Sequence, residues 1–398
     1  MHQNRKSGIF RGITRNIFLL GLVSLFTDLS SQMVFPLIPL YLVSVLGAGA
    51  SIVGIVEGAA ETTASLIKVF SGYWSDRVKK RKPFVLTGYS LSAITKPLFA
   101  LARVWPLVLV IRVVERIGKG IRTAPRDAIV AESVDQSVMG KAYGFHRAMD
   151  GIGSVLGALL AFILLSITSD YTQIFLFAGI PGIAAVIFVS FIKEPKFTEK
   201  QQVKETSIRV SFKALPPNLR LLIAAASVFY LGHFGYAFLL LRATDIGLTD
   251  QIAIILYVFF YVVYVIAAIP AGMLSDRIGR KPVLITSYLL FAVVSLGLIF
   301  ASTLYSVLAF FAVYGISFAM FDSVQRAYVA DLAPEHLRAT TLGTFHTAIG
   351  LVALPGGFIA GILWDKISPE ATFLYGLALA IVSSLLLLSV KSKREGSI

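Results

Sequence analysis

Residues 72–82 read GYWSDRVKKRK, and residues 272–281 read GMLSDRIGRK. The two copies begin 200 residues apart, at Gly72 and Gly272, and each lies between two long apolar segments. A basic segment repeated at equivalent positions indicates a chain built from two halves of the same design. We name these segments the first motif and the second motif.

The apolar segments around the two motifs indicate a membrane protein. Hydrophobic residues make up 56% of the chain, charged residues only 15%, and the mean hydropathy is +0.79. A soluble domain has about 25% charged residues. About 20 apolar residues suffice to cross a bilayer as a helix. Because these runs are continuously apolar rather than alternating, and because the backbone must satisfy its own hydrogen bonds in lipid, the sequence predicts an all-α membrane protein.

Twelve transmembrane helices are predicted, in two pseudo-symmetric six-helix bundles around a central cavity. We number them span one to span twelve. Their predicted ranges are 17–45, 52–75, 83–102, 105–128, 140–166, 172–192, 219–241, 251–274, 283–301, 304–330, 339–364 and 371–390. The longest polar stretch separates an N-terminal bundle, 1–192, from a C-terminal bundle, 219–398. The stretch itself, 193–218, is the predicted linker.

The distribution of Lys and Arg predicts the orientation. Basic residues concentrate in both motifs, in the 193–218 linker and at both termini, and they are sparse in the alternate loops. Cytoplasmic loops carry this excess in multi-pass proteins. Both termini are therefore expected in the cytoplasm and the chain in the plasma (inner) membrane. The net charge of +14 then reflects topology and not a nucleic-acid partner.

The sequence lacks the residues that several kinds of functional site require. The chain has no cysteine, which excludes disulfides and thiolate metal sites. No His and carboxylate cluster has metal-ligand spacing, and no glycine-rich loop has nucleotide-binding spacing. We therefore expect no metal, no cofactor and no enzyme activity. The expected partners are a small-molecule substrate, protons and the lipid bilayer, with the protein acting as a monomer.

At the two motifs the chain resembles the major facilitator superfamily, whose gate motif reads G-x-x-x-D-R/K-x-G-x-R/K-R/K. The first copy has Lys79 where glycine is usual, and the second copy is one residue shorter. In this family the motif closes the cytoplasmic side by pairing across helix ends, which implies gate residues here. A basic loop that only enforces topology is the alternative. The implied gate residues are Gly72, Asp76, Arg77, Arg81, Lys82, Gly272, Asp276, Arg277, Arg280 and Lys281.

Span five is similar to a glycine pattern of the family's proton-driven antiporters, G-x8-G-x3-G-P-x2-G-G. Gly144, Gly153 and Gly157 have this spacing, whereas Ala158 replaces the proline and 161–162 replace the last two glycines. Small residues also allow close helix packing in lipid without any role in transport. The antiport and the packing interpretations both remain open at this point.

Ionisable residues inside the predicted spans are the candidates for proton coupling. Such groups cost several kcal/mol in lipid unless they face a wet cavity or a partner. At about 100° per residue, those of the first half fall on one face of each helix. Asp28 is the first candidate because it is the only acidic residue of span one; a fixed Asp28–Arg112 pair that braces the bundle is the alternative. The predicted coupling residues are Asp28, Glu57, Glu61, Arg112 and Asp150.

The candidates for the substrate cavity differ between the halves. Those of the first half are polar or charged, and those of the second half are mostly aromatic. Buried tyrosine hydroxyls seek partners, which favours a cavity role, although an aromatic stripe can also serve packing alone. The predicted cavity residues are Gln32, Glu115, Arg116, His146, Tyr230, His233, Tyr236, Tyr257, Tyr261, Tyr264 and Asp322.

Together these features predict a secondary transporter that works by alternating access. We expect proton-coupled efflux of small amphipathic organic molecules. One alternative is an importer or exchanger of an organic anion, with Arg112 and Arg116 binding its carboxylate or phosphate. Another is a membrane receptor or assembly factor that keeps the fold but does not transport.

Overall fold

The computed structural model describes residues 14–78, 80–134, 139–194, 215–333 and 338–391, and all the regular structure in these ranges is helical. Lys79 and residues 195–214 of the predicted linker lie outside the described residues. The described helices make up twelve spans, which form two groups of six.

The first group contains spans one to six. Span one has three segments, Arg15–Val34, Leu37–Leu40 and the π-helical Tyr41–Val45. Span six has two segments, Tyr171–Phe177 and Gly179–Ser190. Spans two to five are Ala50–Val78, Lys82–Leu98 with a 3-10 turn at Phe99–Leu101, Trp105–Glu132 and Met139–Thr168.

The second group contains spans seven to twelve. Span seven has two segments, Pro217–Gly232 and Gly235–Asp245. The other five spans are Asp250–Ile278, Arg280–Phe300, Leu304–Leu332, Arg338–Lys366 and Pro369–Leu388.

Eleven of the twelve spans are long and apolar enough to cross a membrane. The twelfth, span four, carries more charge, but its central residues Arg112, Glu115 and Arg116 are only 0%, 0% and 7% exposed. Charged groups that face the interior avoid the cost of contact with lipid. The predicted all-α fold with twelve spans is therefore confirmed.

Breaks within spans one and seven were not predicted. In span one the helix is interrupted at Pro36, which has no backbone N–H to donate. In span seven it is interrupted at His233 and Phe234, and the next residue, Gly235, has a φ of +68° that a side chain would disfavour. At the break in span seven, the His233 ring packs among the rings of Phe229, Phe291 and Phe321.

The first motif joins the ends of four helices in the first half. Arg81 binds Asp76 at 2.9 Å and Glu132 at 2.7 Å, which links the ends of spans two, three and four. The Lys82 Nζ donates to the backbone oxygen of Ser190, at the end of span six, at 2.7 Å. We call this end of the molecule the motif side.

The second motif repeats these contacts in the second half. Arg280 binds Asp276 at 2.7 Å and Asp331 at 3.2 Å, which links spans eight, nine and ten. The Lys281 Nζ donates to the backbone oxygen of Leu388 in span twelve at 2.9 Å. The sequence repeat thus corresponds to a repeat of contacts, and the predicted two-bundle architecture is confirmed.

Glycines allow spans five and eleven to pack closely on their neighbours. A Cβ on Gly153 would lie 2.2 Å from the backbone oxygen of Leu25 in span one. In the other half, a Cβ on Gly356 would lie 2.4 Å from the backbone oxygen of Leu231 in span seven. Small residues therefore serve the same packing in both halves.

Away from the motifs, at the opposite side, contacts between the halves close the molecule. The Asp365 carboxylate of span eleven accepts hydrogen bonds from the N–H groups of Ala50 and Ser51, at 2.8 and 2.9 Å, and so caps span two across the boundary. Asp250 of span eight accepts hydrogen bonds from Ser44 of span one at 3.3 Å and from Tyr171 of span six.

Candidate functional site

A cavity of about 510 Å³ lies between the two halves. It begins near the centre, beside Gln32 and Tyr257, and extends to the motif side, where Lys119, Arg147 and Arg326 are exposed. Its volume lies in the range of small-molecule sites, about 300–1,000 Å³. Because the cavity reaches the motif side, and contacts between the halves close the opposite side, the structure is open toward the motif side.

Charged residues of spans one, two, four and five form one wall. Asp28, Glu57 and Glu61 line it, together with Arg116 and Lys119. Asp28 has no hydrogen bond or ion pair with any described residue. Glu61 accepts one long hydrogen bond, 3.4 Å, from Ser65 within its own helix. Two carboxylates thus face the cavity without a permanent cationic partner in the described part of the chain.

Other charges of this half form a chain of buried pairs behind the wall. The Arg112 Nη2 is 2.9 Å from Glu57 Oε2, and its Nη1 is 3.6 Å from Glu115 Oε2. Arg116 approaches the same Glu115 oxygen, also at 3.6 Å. The ion pairs of Arg112 within 4 Å are therefore to two glutamates, so the Asp28–Arg112 pair considered from the sequence is not present in this state.

Gln32 connects the halves at the inner end of the cavity. Its Oε1 accepts a hydrogen bond from Tyr257 at 2.7 Å, and its Nε2 donates to the Tyr261 hydroxyl at 3.1 Å. Gln32 is 8% exposed, so these bonds lie largely out of water. The three predicted cavity residues thus form one polar contact between span one and span eight.

Aromatic residues of spans seven, eight and ten form the other wall. His233 contacts Tyr314 through its Nε2 at 3.4 Å, and the Tyr236 and Tyr257 rings meet edge to face with centroids 4.9 Å apart. The Tyr236 hydroxyl is buried and has no partner among the described residues. Of the predicted residues of the second half, those that line the cavity are Tyr230, His233, Tyr236, Tyr257, Tyr261, Tyr264 and Asp322.

One ion pair crosses the cavity near the motif side. Arg147 of span five is 2.9 Å from Asp322 of span ten, and it also donates to the hydroxyl of Tyr264. Arg326 approaches Asp322 at 3.3 Å from the next turn. These contacts join the halves between the centre of the cavity and its mouth.

Two predicted cavity residues lie behind the wall. Glu115 and His146 are 0% and 5% exposed and are not among the lining residues. The His146 Nδ1 is 3.6 Å from Asp150, which also accepts a hydrogen bond from Ser24 and lies 4.0 Å from Arg147. Among the described residues no group of three or more His, Asp or Glu side chains could hold a metal ion.

Lys96 in span three is a buried charge that was not predicted from the sequence. Its side chain is fully buried, and its Nζ donates to the backbone oxygen of Thr27 at 3.3 Å. A lone charge in an otherwise apolar span was the available signal, because Lys96 is the only charged residue between Lys82 and Arg103.

The paired motifs, the two bundles and the cavity between them match a known family. A family model described as Major Facilitator Superfamily matches residues 20–249 and 221–397. The chain belongs to this superfamily. An uncharacterized transporter of the superfamily from Methanocaldococcus jannaschii is 42% identical over 387 residues, which cover 96% of each chain. The protein is therefore a multi-pass membrane transporter and not an enzyme.

Two further similarities are more limited. The multidrug resistance protein MdtH of Proteus mirabilis is 31% identical over 144 residues, 36% of each chain. The crystal structure of a mutant of the nucleoside transporter NupG superimposes with a TM-score of 0.80 at 14% identity, over 95% of this chain and all of that one. The similarity to NupG is a similarity of fold.

Proposed function

We propose that this transporter moves small amphipathic organic molecules by alternating access and couples their movement to protons. The observation that carries the proposal is the contrast between the two cavity walls. One wall presents the unpaired carboxylates Asp28 and Glu61, and the other presents tyrosine and phenylalanine rings. An amphipathic molecule can place its polar part on the first wall and its apolar part on the second.

Asp28 is the proposed site of proton coupling. A carboxylate that faces a cavity without a fixed cation can bind a proton and release it when the cavity opens to the other side. Glu61 is in a similar position and is the second candidate. Glu57 and Asp150 are engaged by Arg112 and by Ser24, which makes them weaker candidates in this state. We assign Arg112 to holding Glu57 in place.

The proposed direction is export. The partial similarity to MdtH, a protein named for multidrug resistance, supports this direction. The basic motifs and the 193–218 linker support a cytoplasmic motif side, and we place the monomeric protein in the plasma membrane. The cavity described above would then face the cytoplasm, which is the state in which an exporter loads its substrate.

Transport in proteoliposomes tests the proposal. We expect the purified protein to move amphipathic probes, and an inward-directed proton gradient to accelerate their exit severalfold. The control is the same vesicles with the gradient collapsed by an uncoupler. Movement of probes at equal rates with and without the gradient would contradict proton coupling, and no movement of any probe would contradict transport.

The two motifs are proposed to set the conformation rather than to bind substrate. Asp76 and Asp276 pair with arginines of their own half, and their side chains are 40% and 63% exposed. Exposed ion pairs contribute about 0.2–1 kcal/mol to stability. Loss of one such pair therefore changes the ratio of two conformations by about fivefold at most.

We therefore expect Asp76→Asn and Asp276→Asn to slow transport and to change the ratio of motif-open to motif-closed protein while substrate affinity stays the same. Binding titrations and the rate of cysteine labelling in the cavity measure the two effects separately. A change in affinity alone, with labelling unaltered, would show that the motifs do not act as gates.

A further inference from the structure

We infer that the cargo carries an anionic group, and that this group binds between Arg116 and Lys119 of span four and Tyr236 of span seven. The inference rests on the proposed function, because it names the chemical class of the molecule that the cavity carries. All three side chains line the cavity, Lys119 on the side toward the motifs.

The charges that line the cavity do not balance. Its lining contains five carboxylates and seven Lys or Arg side chains, and Arg126 is also paired at 2.8 Å with Asp127, which stands outside the lining, so an excess of one positive charge is left. Uncompensated charge is costly in a low-dielectric site within a membrane. A bound anion lowers that cost, whereas a cation raises it. The lining carboxylates are Asp28, Glu57, Glu61, Asp150 and Asp322, and the basic residues are Lys68, Arg116, Lys119, Arg122, Arg126, Arg147 and Arg326.

Arg116 offers unused donors to such an anion. It is 7% exposed, and its Nε and Nη1 have no hydrogen-bond partner among the described residues. Its nearest carboxylate, Glu115, is 3.6 Å away and stands at the same distance from Arg112. The guanidinium also lies over the Phe35 ring, 4.7 Å from its centroid, which restricts its plane. A planar guanidinium with free donors suits a carboxylate, sulfonate or phosphate.

Lys119 and Tyr236 complete the subsite. Lys119 follows Arg116 by three residues, which places the two cations on the same face of span four, and both line the cavity. The Lys119 Nζ has no hydrogen bond or ion pair with any described residue, whereas the backbone oxygen of Lys119 accepts a hydrogen bond from Thr123 at 2.6 Å. The Tyr236 hydroxyl, which has no partner among the described residues, lines the same cavity as Arg116 from the other half. An anion placed between them would accept hydrogen bonds from both walls.

The remainder of the cargo would lie on the aromatic wall. The Tyr257 ring adjoins Tyr236, and the Phe318 and Tyr264 rings continue the wall with centroids 5.1 Å apart. Flat apolar groups stack favourably on such rings. The cargo is thus an amphipathic organic anion with an apolar, preferably aromatic, body.

Three probes that share one ring system test the charge preference. They are 2-naphthoate, neutral 2-naphthamide and the cation 2-naphthylmethylammonium, each titrated against the purified protein in lipid nanodiscs. We expect naphthoate to bind best and Arg116→Gln to weaken it about ten- to a hundredfold, as loss of charge-assisted hydrogen bonds does. Amide binding should stay the same. Arg326→Gln, which removes an equal charge at the mouth of the cavity, should weaken naphthoate much less.

Equal binding of naphthoate and naphthamide, a preference for the cation, or unchanged naphthoate binding by Arg116→Gln would overturn the subsite. If Arg116→Gln does not fold, naphthoate binding is measured instead with Lys119→Gln, on the charged wall, and with Tyr236→Phe, on the aromatic wall. Counterflow separates this inference from the proposed function. Counterflow of the amide or the cation without counterflow of the anion would refute the anion subsite but support transport. Specific anion binding with no counterflow of any probe would refute transport but support the anion subsite.

Discussion

We expect Asp28→Asn to abolish proton-driven transport while the protein still binds its substrate and exchanges it across the membrane. Asparagine has nearly the same shape as aspartate but cannot bind and release a proton. Asp28 lines the cavity and has no hydrogen bond or ion pair among the described residues. The variant should therefore lose the response to a pH gradient, measured as gradient-driven flux in proteoliposomes, and keep substrate counterflow.

Thermal stability separates this role from a structural one. A carboxylate that braces the bundle loses stability on neutralisation, and reversing both charges of the pair partly restores it. Asp28 has no such partner here, so we expect Asp28→Asn to melt at the same temperature as the parent or higher. Asp245→Asn is the control on the opposite side: it removes the 2.5 Å pair with Arg242 but leaves that arginine Glu370 at 3.1 Å, so it should keep gradient-driven flux. Gradient-driven flux at the parent rate in a stable Asp28→Asn protein would refute the assignment, and Glu61 would be tested next.

The sequence predicted the fold because its signals are local and repeated. Apolar runs of about 20 residues define spans wherever they occur. The second motif repeats the first closely enough that Arg81 and Arg280 make equivalent pairs in the two halves. The breaks at Pro36 and Gly235 were overlooked because a proline or glycine within a membrane helix is often tolerated without a break.

The partners of the buried charges could not be predicted from the sequence. Helical periodicity places Arg112 and Arg116 on one stripe of span four, but it does not give the rotation of that stripe relative to span two. In the structure the rotation turns Arg112 toward Glu57, while Arg116 reaches the cavity. Glu115, on the same stripe, lies behind the wall. The spacing of residues along the sequence shows on which face of the helix a charged side chain lies. Its ion-pair partner depends on how several helices pack together.

The largest conformational effect is expected where span two of the first half meets span eleven of the second. A Cβ on Gly54 would lie 1.9 Å from the backbone oxygen of Gly357, and a Cβ on Gly357 would lie 2.4 Å from that of Gly54. Both obstacles are backbone atoms, which cannot turn aside as a side chain can. The contact lies toward the opposite side, near the Asp365 cap on Ala50. Added volume at this point must therefore separate the halves where the structure is closed.

We expect Gly54→Val and the milder Gly357→Ala to shift the protein toward a state open on the opposite side. Overpacking costs about 1–3 kcal/mol, enough to change the ratio of the two states about five- to a hundredfold. Spin labels on cysteines at Arg103 and Lys366, exposed in different halves, report the separation, and the chain has no cysteine of its own to interfere. Gly343→Ala is the control, because its Cβ would meet only the Val69 side chain, at 3.6 Å. Unchanged label distances in a folded Gly54→Val protein would mean that this contact does not hold the opposite side closed.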